Sequence, residues 1–244
     1  MIGAIVVGNG IGGTNWPGGG YDPETHIVYA PALNAALASH SLMPPPPGFS
    51  DIRYVRGVVG LPFAEIFGPG DCCAADSGFK TRDDLAAPPP PAAGTPAANV
   101  PPLAVQGLPI VKPPYGVLSA IDLYRGDLLW SVPHGDTPDN IRNHPALKGL
   151  TIPKTGQNAN VGLAITKTLV IMGDPLITTT PEHPRGAMLR AYDKRTGQEV
   201  GAVYMPAPQS GSPMTYMVDG KQYIIVAVSG GNYSGEYIAY RLPN

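Results

Sequence analysis

Ala120-Ile121-Asp122-Leu123-Tyr124-Arg125-Gly126-Asp127-Leu128-Leu129-Trp130 is answered further along by Ala191-Tyr192-Asp193-Lys194-Arg195-Thr196-Gly197-Gln198-Glu199-Val200, and a clipped third copy runs Tyr237-Ile238-Ala239-Tyr240-Arg241-Leu242-Pro243. The first two copies each read as a strand, a turn opened by aspartate and closed by glycine, and a second apolar strand. Recurrence of such a unit marks a repeat architecture. The last two copies lie 48 residues apart, alanine to alanine, about the span of one four-stranded propeller blade. The first two lie 71 apart, so one blade has to carry extra loop. Each repeat buries its faces only against its neighbours, so three repeats predict a partial propeller or part of a larger one.

Working outward, Gly116–Asp122 and Leu128–Val132 read as a strand pair, followed by a polar loop over 134–158. Gly162–Thr166, Thr168–Met172, Ala187–Asp193 and Glu199–Met205 make the next unit. The last runs Met214–Val218, a turn at Asp219-Gly220, Gln222–Val228 and Tyr237–Leu242. Asp-Gly between alternating strands is a strong hairpin signal. Upstream, residues 18–32 predict a strand, an Asp22-Pro23-Glu24-Thr25 turn and a second strand at Ile27–Ala30. From Leu33 the pattern dissolves. The runs Pro44–Pro47 and Pro88–Pro91, and an Ala/Pro/Gly-dominated stretch over 86–102, mark 33–111 as a Pro/Ala/Gly-rich insertion. Its ordered part is expected near 52–67 at most. Proline argues against a helix there, and no other stretch holds helical periodicity over three turns. The fold class expected is all-β.

Gly 31 and Pro 30 make up a quarter of the 244 residues, while the hydrophobic share of 43% argues for a packed, turn-rich β protein. Net charge is -2 with 14% charged residues, and no basic patch supports nucleic-acid binding. Lys154, Lys167, Arg190, Lys194 and Arg195 read as scattered solvated side chains. No apolar run is long enough to span a bilayer. Met1–Val7 is apolar but lacks a basic leader and is cut short by Gly8-Asn9-Gly10, so it reads as a strand entering a glycine turn. Met1 is not expected to be the natural start.

Three segments resemble the pyrroloquinoline-quinone (PQQ)-dependent dehydrogenases, eight-bladed quinoprotein propellers. Gly12-Gly13-Thr14-Asn15-Trp16-Pro17 followed by Tyr21-Asp22-Pro23 resembles that family's Asn-Trp signature. The run ending at Trp130 resembles its tryptophan-docking repeat. Ser212-Pro213-Met214-Thr215-Tyr216, then Asp219-Gly220-Lys221-Gln222-Tyr223 and Ser229-Gly230-Gly231, resembles its closing blade, in the glucose and polyol branch above all. The likeness covers 1–32 and 112–244 and leaves the insertion unmatched. It implies that residues 1–244 are a single C-terminal propeller portion of about three blades, incomplete and inactive alone. It implies PQQ and Ca²⁺ as cofactors, a sugar, polyol or alcohol substrate, a quinone or cytochrome acceptor, the remaining blades as partners, and a periplasmic location. The calcium-binding carboxylate and the catalytic base are expected upstream of this chain, so no metal ligand and no catalytic residue is assigned within it. One departure stands out. The second repeat has Gly201 where tryptophan is expected, so one docking contact between blades is missing or replaced.

For cofactor binding the resemblance points to Asn15, whose amide suits the rim of a planar polyanion, with Trp16 beside it; read by position alone, Asn15 supports a glycine-rich turn and Trp16 is core. Lys112 and Tyr115 could supply a cation and an aromatic wall, against the plainer reading of a solvated loop lysine. Cys72-Cys73 echo the vicinal disulfide of alcohol-oxidising members, but they lie in the insertion, where a surface disulfide, two free thiols or bridges to other chains also fit. His134, Asp136 and His144 share the polar loop and His183 lies elsewhere; with no nucleophile elbow or His-Glu-x-x-His motif they read as loop histidines. Gly8-Asn9-Gly10-Ile11-Gly12-Gly13 is not followed by a βαβ unit, which excludes a dinucleotide fold. The rival to the enzyme reading is a non-catalytic propeller scaffold for protein interaction; a small β domain with disordered linkers and no cofactor is a third.

Overall fold

A computed structural model describes residues 5–7, 13–15, 17–34, 36–38, 40–44, 47–48, 51, 53, 55–58, 104–157, 161–230 and 233–241. The chain divides into two units, residues 1–6 with 37–109 and residues 7–36 with 110–244. Trp16, Cys72 and Cys73 lie outside the described residues.

The first unit holds two short ladders, His40–Met43 with Val55–Val58 and Ala104–Val105 with Leu108–Pro109. Strands at Ala36–Ala38 and His40–Met43 continue regular structure past Leu33, where the sequence pattern dissolves. Short stretches such as His40-Ser41-Leu42-Met43 carry little strand propensity of their own; pairing with a distant segment makes them strands.

The second unit contains three antiparallel sheets in which spatial order follows chain order. The first is Gly20–Asp22, Ile27–Leu33, Gly116–Asp122 and Asp127–Pro133. The second is Leu163–Ile165, Leu169–Gly173, His183–Asp193 and Glu199–Met205, with Thr178–Thr180 added beside the start of its third strand. Met214–Val218, Lys221–Gly230 and Tyr233–Arg241 form the third. A four-stranded meander is the form of a propeller blade, so the expected all-β partial propeller is what the chain builds. Helix is confined to one turn at Asp139–Arg142 and a 3-10 turn at Pro145–Leu147 among the described residues.

The repeated aspartate and glycine have a structural reason. Asp122 Oδ1 accepts the amide of Tyr124 at 2.8 Å, Asp193 Oδ1 that of Arg195 at 3.0 Å, and Asp22 Oδ1 that of Glu24 at 3.1 Å. Four residues after each aspartate the backbone turns left-handed, at Gly126 (φ 73°), Gly197 (φ 72°) and His26 (φ 56°). The Asp22 turn is therefore another copy of the motif, with histidine in the glycine position. Its ring accepts or donates at the Tyr21 hydroxyl, 2.7 Å away, and lies 4.4 Å from the Tyr124 ring centre. The first and second blades also share a bulge, since the register slips between Leu128 and Trp130 and between the partners of Ala191 and Tyr192. A bulge re-aims the next side chain, and in the first blade that side chain is Trp130.

Strand alternation splits the core into two seams. Val170, Met172 and Tyr192 turn toward Tyr29, Leu118 and Ala120 of the first blade, with Trp130, Val132, Leu163 and Ile165 against them. Ile171, Ala187, Leu189 and Met205 turn the other way, onto Val226 and Val228 of the third sheet. At the first seam Trp130 Nε1 donates to the Lys194 carbonyl at 3.1 Å, and the Tyr29 hydroxyl donates to the same oxygen at 3.2 Å. A Cβ on Gly197 would stand 2.6 Å from the Trp130 ring. At Gly201, the corresponding place in the second blade, a Cβ would meet nothing within 4 Å.

Two lysine and arginine readings are corrected here. Arg190 and Lys194 are not solvated: they are 4% and 6% exposed. Lys194 Nζ lies 2.5 Å from Asp22 Oδ2 and donates to the carbonyls of Thr166 and Lys167. It is buried because its own turn is the docking platform for Trp130.

Candidate functional site

In each of the first two blades one end is made by strand starts and strand ends that carry the longer connections. At this end of the first blade, Leu33 closes one strand and Gly116 opens its neighbour. Gly13 pairs with Leu33 through bonds of 2.9 and 3.1 Å, and the Gly18 amide donates to the Asn15 carbonyl at 2.7 Å, which folds Asn15 into a turn beside that strand end. From the other side come Lys112–Tyr115. The Asn34 amide donates to the Tyr115 carbonyl at 2.7 Å, and Asn34 Nδ2 reaches the carbonyls of Lys112 and Pro114, both at 3.3 Å.

Leu33-Asn34 thus gathers the Asn15 turn and the Lys112–Tyr115 segment, some hundred residues apart in sequence, at one strand end. Lys112 is exposed and makes no ion pair among the described residues. Tyr115 is buried, which pushes its hydroxyl pKa up. Asn34 was not singled out in the sequence; an asparagine just past an apolar strand is its faint signal.

The loop after Pro133 closes over the same end. The His134 amide donates to the Gly116 carbonyl at 3.0 Å, the Gln157 amide to the His134 carbonyl at 2.8 Å, and the Tyr115 amide to the Thr155 carbonyl at 2.7 Å. A Cβ on Gly116 would strike the Gln157 carbonyl, so glycine is required at this crossing.

His134 is buried. Its Nε2 faces the Gly173 carbonyl at 3.0 Å and its Nδ1 the Tyr192 hydroxyl at 2.9 Å. Since a carbonyl only accepts, Nε2 carries the proton and Nδ1 accepts from Tyr192. Burial lowers the His134 pKa and holds the ring neutral, and burial likewise raises Tyr192.

Beside it lies an ion cluster whose members are scattered along the sequence. Arg190 holds Asp174 with two bonds, Nε–Oδ1 at 2.6 Å and Nη2–Oδ2 at 2.9 Å. It also reaches Asp136 at 2.8 Å and Glu199 at 2.8 Å. Lys154 pairs with Glu199 at 2.6 Å. His183, read as lying elsewhere, donates from Nε2 to Asp136 Oδ2 at 3.0 Å and from Nδ1 to the Pro184 carbonyl at 2.8 Å. Both ring nitrogens face acceptors, which only an imidazolium satisfies. Burial opposes its charge, but these two bonds and the Asp136 and Asp174 carboxylates outweigh it and raise its pKa. Three carboxylates thereby meet three cations. His144 does something simpler: its Nδ1 accepts the Ala146 amide at 3.2 Å and caps the 3-10 turn. The signal for Arg190 was its parity: in Leu189-Arg190-Ala191-Tyr192 it shares the core-facing register of Tyr192.

Comparison with known proteins gives the family of the chain. The PQQ glucose/ethanol/alcohol dehydrogenase β-propeller-domain family matches residues 61–224. The chain belongs to that family. The match begins inside 33–111 and runs through the second blade into the third sheet. A probable quinate dehydrogenase (quinone) of Xanthomonas campestris pv. juglandis is 31% identical over 96% of this chain and 26% of its own length. Quinoprotein glucose dehydrogenase A of Acinetobacter calcoaceticus is 27% identical over 78% of this chain and 23% of its own. The quinoprotein glucose dehydrogenase of Escherichia coli (strain K12) is 30% identical over 57% and 17%. The chain thus spans about a quarter or less of the curated relatives it matches.

A planar quinone bearing carboxylates needs cations and N–H donors at its rim. This end of the first blade carries Lys112, which has no carboxylate partner among the described residues, the Asn15 side-chain amide, and Gln157 Nε2, a buried donor with no hydrogen-bond partner among the described residues. These residues fit the edge of such a group. Calcium is different: among the described residues no group of three or more His, Cys, Asp or Glu could hold a metal ion, and no step is derived through one.

Proposed function

We propose that this chain contributes part of the cofactor rim of a PQQ-dependent dehydrogenase that oxidises a sugar, polyol or alcohol. Electrons pass on to a quinone or cytochrome, the working location is the periplasm, and the base and calcium ligands come from blades outside this chain. The observation that carries this reading is the convergence of the Asn15 turn and Lys112–Tyr115 on Leu33-Asn34, in a chain of the quinoprotein propeller family.

When bound, PQQ supplies the quinone that accepts hydride from the alcohol carbon. The residues here have the simpler tasks of binding and orientation. Lys112 offsets anionic charge at the rim, and the Asn15 side chain donates to a carbonyl or carboxylate oxygen. Asn34 holds the Lys112 backbone so that the lysine does not pay the full cost of ordering on binding.

The test is an equilibrium titration of the purified chain with PQQ and Ca²⁺, read by quenching of Trp16 and Trp130 fluorescence. Saturable quenching is expected, weakened about tenfold by Asn15→Ala or Lys112→Ala, the loss of one charge-assisted or amide bond. Titrations that never saturate with the wild-type chain would sink the cofactor reading and favour the non-catalytic scaffold.

A further inference from the structure

The ion cluster around Arg190 has no role in the chemistry proposed above, and its placement explains more than stability. Asp174 and Arg190 stand on the second blade, at the end of Leu169–Gly173 and within His183–Asp193. Asp136 and Lys154 stand near the two ends of the connecting loop over 134–157. The cluster therefore ties both ends of that loop to one rigid sheet. Asp136 lies two residues past His134, whose amide holds the Gly116 carbonyl, and Lys154 immediately precedes Thr155, whose carbonyl holds the Tyr115 amide. Within the loop the Thr155 amide donates to Thr137 Oγ1 at 3.2 Å, joining the two ends to each other. Lys112–Gly116 is accordingly gripped from two sides, by Asn34 from its own blade and by the loop from the other.

We propose that Asp136 and Lys154, anchored on the Arg190–Asp174 pair, are positioning residues: they set the loop that seats Lys112–Tyr115, and so place the cofactor rim of the first blade by reference to the second. This rests on reading Lys112–Tyr115 as part of the rim. The coupling runs through contiguous hydrogen bonds, from Arg190 to Asp136 or Glu199, from Glu199 to Lys154, and from Thr155 to Tyr115. A bidentate, buried Arg–Asp pair is a rigid reference because the planar fork fits the carboxylate in one orientation. Lys154 is exposed and Asp136 only partly buried, so both are less fixed than the Arg190–Asp174 pair.

His183 makes the arrangement responsive to pH. It faces Asp136 from the loop, Asp174 from the end of Leu169–Gly173, and Arg190 and Glu182 from its own segment. Loss of its proton removes one of the two donors it directs at Asp136 and Pro184, and loosens the Asp136 end of the loop.

Amide hydrogen exchange on the whole chain, without any ligand, tests the idea. Asp136→Ala leaves the Arg190–Asp174 and Arg190–Glu199 bonds in place, so the blade folds. It is expected to speed exchange at Tyr115 and across 134–157 about tenfold, with Leu189–Tyr192 unchanged. Lys154→Met, which removes a half-exposed pair, is expected to give about two- to fivefold at Tyr115, restored by Lys154→Arg. After correction for intrinsic rates, Tyr115 exchange rises with pH through the His183 titration in the wild type and not in His183→Gln. Equal acceleration at Leu189–Tyr192 would mean global destabilisation and overturn the positioning role. Unchanged Tyr115 exchange in both variants would overturn it too. Because no PQQ is present, these outcomes stand apart from the titration: a chain that binds no PQQ defeats the cofactor reading, while the exchange pattern alone decides the coupling.

Discussion

Trp130 of the first blade donates its indole N–H to the Lys194 carbonyl of the second at 3.1 Å, over a glycine, Gly197, whose Cβ position lies 2.6 Å from the ring. Lys194 therefore serves the seam twice, with its carbonyl toward Trp130 and Tyr29 and its ammonium toward Asp22. One turn of the second blade receives three groups of the first.

Gly126 and Gly197 share the same left-handed backbone, but only Gly197 lies under Trp130. Gly126→Ala is expected to cost about 1–2 kcal/mol from backbone strain alone. Gly197→Ala should cost about 2–4 kcal/mol, strain plus overpacking. The excess should shrink in a Trp130→Leu background. Gly201→Ala, with open space around it and an ordinary backbone, should gain about 0.5 kcal/mol. Urea unfolding of the set checks all of these, and a Gly197→Ala cost equal to that of Gly126→Ala would refute the docking contact.

The Asp22 carboxyl is held below its usual range, chiefly by Lys194 and also by Thr25 and the Glu24 amide, against the opposing effect of burial. A carboxylate with a depressed folded pKa stabilises above its unfolded value near 3.8 and loses that contribution as pH falls through the lower folded value. Lys194→Met should cost about 3–5 kcal/mol by stranding the buried carboxylate. It should also flatten the acid limb of the stability curve, because without Lys194 the folded Asp22 pKa rises toward its unfolded value and less stability is left to lose as pH falls. Asp22→Asn, which can still cap its turn, should leave a shallower acid limb than the wild type in the same melts.

Arg190→Met removes the partner of a fully buried Asp174 and should cost about 3–5 kcal/mol. Neutralising both residues, in Asp174→Asn with Arg190→Met, should return a large part of that loss, because the stranded charge and not the missing attraction dominates. Thermal melts of the two single variants and the double form the cycle. Strict additivity would show that the two side chains act independently.

His134 and His183 should shape opposite sides of the pH profile. His134 is held neutral, chiefly by burial, with a folded pKa below its unfolded value near 6.5, so stability falls as pH drops below that unfolded value and the unfolded chain takes the proton. His183 has a raised folded pKa, so its contribution is full below about 6.5 and is lost as pH rises through the folded value. His134→Gln should flatten the acid-side slope below about pH 6.5, and His183→Gln the slope above it. Denaturant midpoints across pH would decide; the reverse assignment of slopes would contradict the proton placement drawn from their hydrogen bonds.

Much of the fold was legible in sequence because its signals are local. Gly116–Asp122 alternates with period two, and the Asp122 and Asp193 turns are closed by carboxylates accepting from amides two and three residues on. The Asp22 turn hid as a copy because histidine holds the left-handed position that glycine fills elsewhere. Strands such as Thr178–Thr180 and His40–Met43 were not readable, since they exist by pairing with partners chosen by the tertiary fold. At the candidate site Asn15, Trp16, Lys112 and Tyr115 came from a resemblance. Trp16 lies outside the described residues, and Asn34, which joins the other segments, carried no motif.

The sequence by itself determined the all-β repeat and the turns, because propensity and turn chemistry act over a few residues; the quinoprotein family entered as a resemblance of three segments and is carried by the family match. Tertiary structure alone decided the electrostatics. Arg190, Lys194, Asp136 and His183 read as separate polar residues along the chain, and became a buried seam and a three-against-three ion cluster once two blades met. Burial is a property of the neighbours a side chain acquires, and in a propeller those neighbours belong to the next blade.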